Sequence, residues 1–269
     1  MKEPPLLLIH GYPFNHRMWF STIASLGSNA RVIAPDLPGF GKNPLRDQDK
    51  PSMSAYADYL ARLLDENQQQ SAIVSGMSMG GYVALAFAQK YPDRTRGLGL
   101  ISSQAAADTP EAKQARNEMI KKIRGTGPSV ASDAILPKMF SDEKGKKPEL
   151  REYPVEGAAA AGVEGLCWAL EAMAKRQDRT EFLQSLRIPV LILHGSEDKI
   201  IPGAKARHLA ETCRQPILVE LRGVGHASPL EAPDQVAAAL ARLVQKVREQ
   251  TERDALTEVT EKAHIAGTA

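Results

Sequence analysis

A serine, a carboxylate and a histidine stand in this chain where they could together perform covalent acyl transfer. Ser78 lies in Ser75-Gly76-Met77-Ser78-Met79-Gly80-Gly81, directly after the apolar run Ser71-Ala72-Ile73-Val74 and ahead of a helical pattern beginning near Tyr82. A serine on such a strand-to-helix turn is lifted above the sheet, and the glycines are needed because side chains there would collide with neighbouring backbone. The helix N-terminus beneath it favours negative charge. The competing reading is a glycine-rich turn around a buried serine, and the place of the segment after an apolar run favours the nucleophile.

A serine hydroxyl is a weak nucleophile and needs a base, which in turn needs an orienting acid. Asp198 supplies the acid in His194-Gly195-Ser196-Glu197-Asp198, which follows the run Pro189 to Leu193 and so falls at the carboxyl edge of a sheet. Glu197 is its nearest competitor, and a solvated loop carboxylate is the alternative for either. His226 supplies the base in Gly223-Val224-Gly225-His226-Ala227-Ser228-Pro229, after the last apolar run. His10 and His194 precede glycines and read as loop-fixing side chains, while His16, His208 and His264 sit in helical or tail contexts. The order Ser, Asp, His and two oxyanion donors, the backbone N–H groups of Tyr12 and Met79, complete an acyl-transfer set.

Such residues need a scaffold that brings strand ends together. Continuous apolar runs at residues 5–9, 31–34, 71–75, 97–102, 189–193 and 216–221 read as buried parallel strands, with helical patterns at 52–66, 80–90, 204–212 and 233–248 between them. The fold class is α/β: a mostly parallel sheet of about six strands flanked by helices. Between residues 103 and 186 the alternation gives way to Ala-rich helical segments. The organisation is therefore a core of 1–103 and 186–250, a helical insertion of 104–185, and a polar tail of 251–269 that reads as a frayed end or a loosely docked helix. Leu136, Met139, Trp168 and Met173 are the insertion's apolar candidates for a substrate pocket, with plain core packing of equal weight for each.

Composition narrows the function classes. The 269 residues carry 34 basic and 32 acidic side chains, unsegregated, so no nucleic-acid face is expected. The N-terminal apolar run is too short for a secretory leader, and no run approaches the roughly 18 residues of a membrane span. A soluble cytoplasmic protein is the expectation. Cys167 and Cys213 lie far apart with no partner motif and read as buried thiols, with no metal site.

His10-Gly11-Tyr12-Pro13, Asp36-Leu37-Pro38-Gly39-Phe40-Gly41, Gly76-Met77-Ser78-Met79-Gly80-Gly81, His194-Gly195-Ser196-Glu197-Asp198 and Gly225-His226 together resemble the α/β-hydrolase superfamily. The sequence is similar there to small bacterial carboxylesterases, cofactor-free haloperoxidase-like esterases and 3-oxoadipate enol-lactone hydrolases. The resemblance implies a helical cap over the site, matching 104–185, and no metal or organic cofactor. One departure is that only five residues precede the strand ending in His10-Gly11, so the family's first two strands are absent. The strand at 31–34 then becomes a sheet edge that must be covered, blunted or paired in a homodimer.

The expected function is hydrolysis of a small carboxylic ester through an acyl-enzyme, with an enol-lactone as the alternative substrate. Ser78 in place of an aspartate speaks against dehalogenase or epoxide-hydrolase chemistry. A different class of function is a ligand receptor or regulatory binding protein built on the same residues.

Overall fold

The computed structural model describes residues 3–46 and 50–266, with side chains as far as Leu256. Six strands form one sheet in the order β2-β1-β3-β4-β5-β6, and every neighbouring pair is parallel. They are β1 (Leu6–Ile9), β2 (Val32–Ile33), β3 (Ala72–Met77), β4 (Thr95–Ile101), β5 (Val190–Gly195) and β6 (Pro216–Leu221). Every residue of β1, β3 and β5 is buried, which is why these strands are continuously apolar or small rather than alternating. β3 runs on through Gly76 to Met77, so the strand ends on the residue before Ser78.

Pleating divides the strand side chains between two cores. Leu7, Ile9, Val74 and Ile192 pack with α2 (Met53–Glu66), α3 (Met79–Lys90) and α8 (Gly203–Thr212). Leu6, Leu8, Ile73 and Leu191 pack on the opposite face with α1 (Phe20–Leu26) and α10 (Pro233–Ala266). A local signal starts α2: the Ser52 hydroxyl accepts from Ala55 N–H at 3.1 Å, and Met53, Tyr56, Ala57, Leu60 and Leu64 then recur on one buried face.

Helices and no strand lie between β4 and β5: α4 (Pro110–Thr126), α5 (Ser129–Met139), α6 (Pro148–Ala174), which is broken at Gly162 where φ is 63°, and α7 (Thr180–Ser185). α6 presses on the loop that leaves β2, where a Cβ on Gly165 would stand 2.0 Å from the Gly39 carbonyl oxygen. Only glycine allows that approach. The insertion thus rests on the carboxyl edge of the sheet.

β2 stands at the sheet edge, as expected, and it is blunted by being two residues long. Arg248 of α10 reaches across to Glu3 and to the Asn29 carbonyl beside it. α10 itself continues past residue 250 to Ala266, with residues 251–256 exposed. Both cysteines are buried, and burial pushes the Cys213 thiol up to about 12. Among the described residues, no helix is long and apolar enough to cross a membrane.

Candidate active site

Ser78 bridges β3 and α3 in a conformation that side chains rarely adopt, with φ 52° and ψ −113°. Such a residue costs about 1–3 kcal/mol and persists only where its surroundings fix it. They do so here from both sides. Ser78 N–H donates to the Ile101 carbonyl at 2.8 Å, while its own carbonyl accepts from Gly81 N–H at 2.9 Å and from the Ser103 hydroxyl at 2.8 Å. The start of α3 also lies hard against the end of β1, since a Cβ on Gly80 would stand 2.3 Å from the Ile9 carbonyl oxygen. The loop that follows β1, with Tyr12, is thereby brought to the elbow.

Asp198 and His226 stand beyond the ends of β5 and β6, at the edge where Ser78 emerges, because all these strands run parallel. The His226 ring nitrogen Nδ1 is 2.8 Å from Asp198 Oδ2, and the two side chains are 1 % and 0 % exposed. Asp198 Oδ1 accepts from Ile200 and Ile201 N–H at 2.8 and 2.9 Å, which holds the carboxylate still. A carboxylate can only accept, so Nδ1 carries the proton in this contact. Glu197 is exposed, and its N–H donates to the Val224 carbonyl at 2.9 Å. Among the described residues, neither Tyr12 N–H nor Met79 N–H meets a protein acceptor, so both donors are free.

Three other histidines, His10, His16 and His194, have local partners. His10 is fully buried and its Nε2 accepts from Leu37 N–H at 3.0 Å, tying the Asp36-Leu37-Pro38-Gly39 loop to the end of β1. Burial pushes its pKa down to about 4. His16 Nδ1 lies 2.7 Å from Asp36, and His194 Nδ1 lies 3.2 Å from the Gly195 carbonyl.

The four apolar candidates of the insertion do not gather in one place. Leu136 and Met139 join the core shared with α10, and Leu136 lines a groove of about 720 Å³ between α5 and α6 whose lining includes none of Ser78, Asp198 or His226. Trp168 and Met173 join the other core, with Tyr12 and Tyr56; Trp168 packs edge-on to Tyr56 at 4.5 Å. Two groups were not singled out by the sequence reading. Ser103 holds the elbow carbonyl, and Glu231, 6 % exposed, holds the His226 loop. A charge set in the otherwise uncharged Pro229-Leu230-Glu231-Ala232-Pro233 was the available signal for the second. Among the described residues, no group of three or more His, Cys, Asp or Glu side chains could hold a metal ion.

A parallel sheet with a strained serine at a strand-to-helix turn and an acid-histidine pair at later strand ends defines a hydrolase scaffold. The chain belongs to the alpha/beta hydrolase family, whose model matches residues 6–239. It is 29% identical to a pimeloyl-acyl-carrier-protein methyl ester esterase of Aromatoleum aromaticum, over 91% of this chain and 99% of that protein. A thermophilic esterase from Thermogutta terrifontis, solved with malate bound, superposes with a TM-score of 0.86 at 36% identity, covering 91% of this chain and 90% of that one. The enol-lactonase from Burkholderia xenovorans LB400 shares the fold, with a TM-score of 0.80 at 23% identity over 90% and 92% of the two chains.

Proposed function

We propose that this hydrolase cleaves small carboxylic esters through an acyl-enzyme on Ser78. The observation that carries the reading is the buried Asp198–His226 contact, which fixes the tautomer a general base requires. Ser78 Oγ attacks the ester carbonyl as His226 Nε2 takes its proton, and the free Tyr12 and Met79 amides receive the oxyanion. His226 then returns the proton to the leaving alcohol. Water repeats the sequence on the acyl-enzyme and releases the acid. The insertion serves as the cap, with Trp168 and Met173 on the side of Tyr12.

A second reading, an enol-lactone or half-ester whose acyl part bears a carboxylate, is favoured by one cluster. Asp108 is flanked by Arg116 at 2.5 Å and Arg176 at 2.6 Å, leaving one surplus positive charge, and Arg176 lies 4.1 Å over the ring of Tyr82, one turn along α3 from Ser78. The malate bound to the Thermogutta esterase is a dicarboxylate, in keeping with such a group. A panel of p-nitrophenyl and methyl esters graded by acyl length, with half-esters and an enol-lactone, tests both readings against Ser78→Ala. Ester turnover by the native protein and its collapse in the variant are expected. Turnover retained in Ser78→Ala, or none on any ester or lactone, removes the proposal and favours a binding protein.

A further inference from the structure

Five residues beyond His226, the short helix α9 (Ser228–Glu231) ends on a buried carboxylate. Burying that charge is costly unless donors meet both oxygens. The donors come from two distant parts of the chain. Gly225 N–H, directly before His226, lies 3.1 Å from Glu231 Oε1 and 3.0 Å from Oε2, and Ser141 N–H, two residues past the end of α5, donates to Oε2 at 3.0 Å. On the other side of the histidine, Ala227 N–H donates to the Met139 carbonyl at 3.0 Å. His226 is thus held before and after by backbone groups tied to the insertion.

We propose that Glu231 is the positioning residue of His226, and that the Met139–Ser141 strut of the insertion sets the height of the imidazole through it. The inference rests on the reading of His226 as general base. Its physical content is that the insertion belongs to the base as well as to the pocket: the loop after β5 also holds this segment, through Glu197 N–H on the Val224 carbonyl at 2.9 Å and Gly223 N–H on the Ser196 hydroxyl at 3.0 Å, but the amide next to His226, that of Gly225, goes to Glu231. A displacement of about 1 Å at a reacting group is enough to cost roughly 10²-fold in rate.

The test uses the full chain with Glu231→Ala, Glu231→Gln and Ser141→Pro. The proline removes one N–H donor, and Phe140 before it is already extended at φ −121° and ψ 160°, as a residue preceding proline must be. In Glu231→Ala, ester kcat should fall roughly 10²-fold with KM changed by less than about twofold, and the downfield proton resonance of His226 Nδ1–H should shift or broaden. Glu231→Gln, which keeps one acceptor oxygen for the same two N–H groups, should recover most of the rate, and Ser141→Pro should fall between. If Glu231→Ala does not fold, the other two variants decide. Native kcat and an unmoved Nδ1–H resonance in both overturn the proposal, as does a KM rise without loss of kcat. The resonance needs no substrate, so an absence of ester turnover in the native protein removes the functional reading and leaves the positioning claim to be judged by the spectrum.

Discussion

Asp198 divides its two oxygens between different tasks: Oδ1 is fixed by the N–H groups of Ile200 and Ile201, and Oδ2 meets His226 Nδ1 at 2.8 Å. One oxygen anchors the carboxylate and the other orients the imidazole. Replacing it by Asn offers an amide N–H to Nδ1 and selects the wrong tautomer. Asp198→Asn should therefore lower kcat by roughly 10³–10⁴-fold with the fold intact by circular dichroism. Glu197→Gln, one residue earlier and exposed, should leave kcat at the native value; the reverse ranking of the two would reassign the acid.

Tyr12 separates backbone from side chain. Among the described residues its amide meets no acceptor and its buried hydroxyl has no partner, and burial pushes the phenol pKa far up. A buried hydroxyl without a hydrogen bond costs about 1–3 kcal/mol. Tyr12→Phe should accordingly hold kcat for simple esters and keep or raise Tm. A large loss of kcat would show that the hydroxyl touches the reacting group.

Gly80 tests the elbow. Its added Cβ would stand 2.3 Å from the Ile9 carbonyl oxygen and 2.7 Å from that of His10, both backbone atoms with no room to yield. Gly80→Ala should cost about 1–3 kcal/mol of stability and, by moving the Tyr12 loop away from Ser78, lower kcat on the order of 10²-fold. Thermal melts and ester kinetics on one preparation check both parts.

His10 gives the protein a pH-dependent stability below neutrality. Desolvation depresses it from an ordinary 6.5 to about 4. Between those values the unfolded chain binds a proton that the folded chain refuses, so stability falls as pH falls through the window, by about 3 kcal/mol in all. Burial works to raise Asp36, but the hydrogen bonds from His16 more than offset it, so that carboxylate is lost only below the usual range. Urea unfolding of the native protein and His10→Gln from pH 7 to pH 4 should give a steep slope for the first and a flatter one for the second; parallel slopes would contradict the assignment.

The strand-end placement of Ser78 and Asp198 was legible because each follows a continuous apolar run, a signal that burial on both sheet faces imposes on β3 and β5; the run before His226 is not such a buried strand, since β6 is at the sheet edge and exposes Pro216, Leu218 and Glu220. In the sequence Asp198 is the acid and Glu197 its nearest competitor, because adjacent carboxylates differ only in which one turns inward to His226. The length of α10 was hidden because a helix exposed on all sides, as at residues 251–256, carries no apolar stripe. Trp168 and Leu136 looked equivalent in sequence, yet they fall on opposite cores. Glu231 escaped because its partners are backbone N–H groups, which leave no mark on the sequence.

The proposed reaction passes through a covalent acyl group on Ser78. Rapid acid quench of the protein with an excess of p-nitrophenyl acetate, followed by intact mass and peptide mapping, measures it directly. A burst of p-nitrophenolate approaching one per chain, with an acetyl group on the peptide containing Ser78 and none in Ser78→Ala, is the predicted result. Turnover with no acyl adduct, or an adduct on another residue that persists in Ser78→Ala, would contradict it.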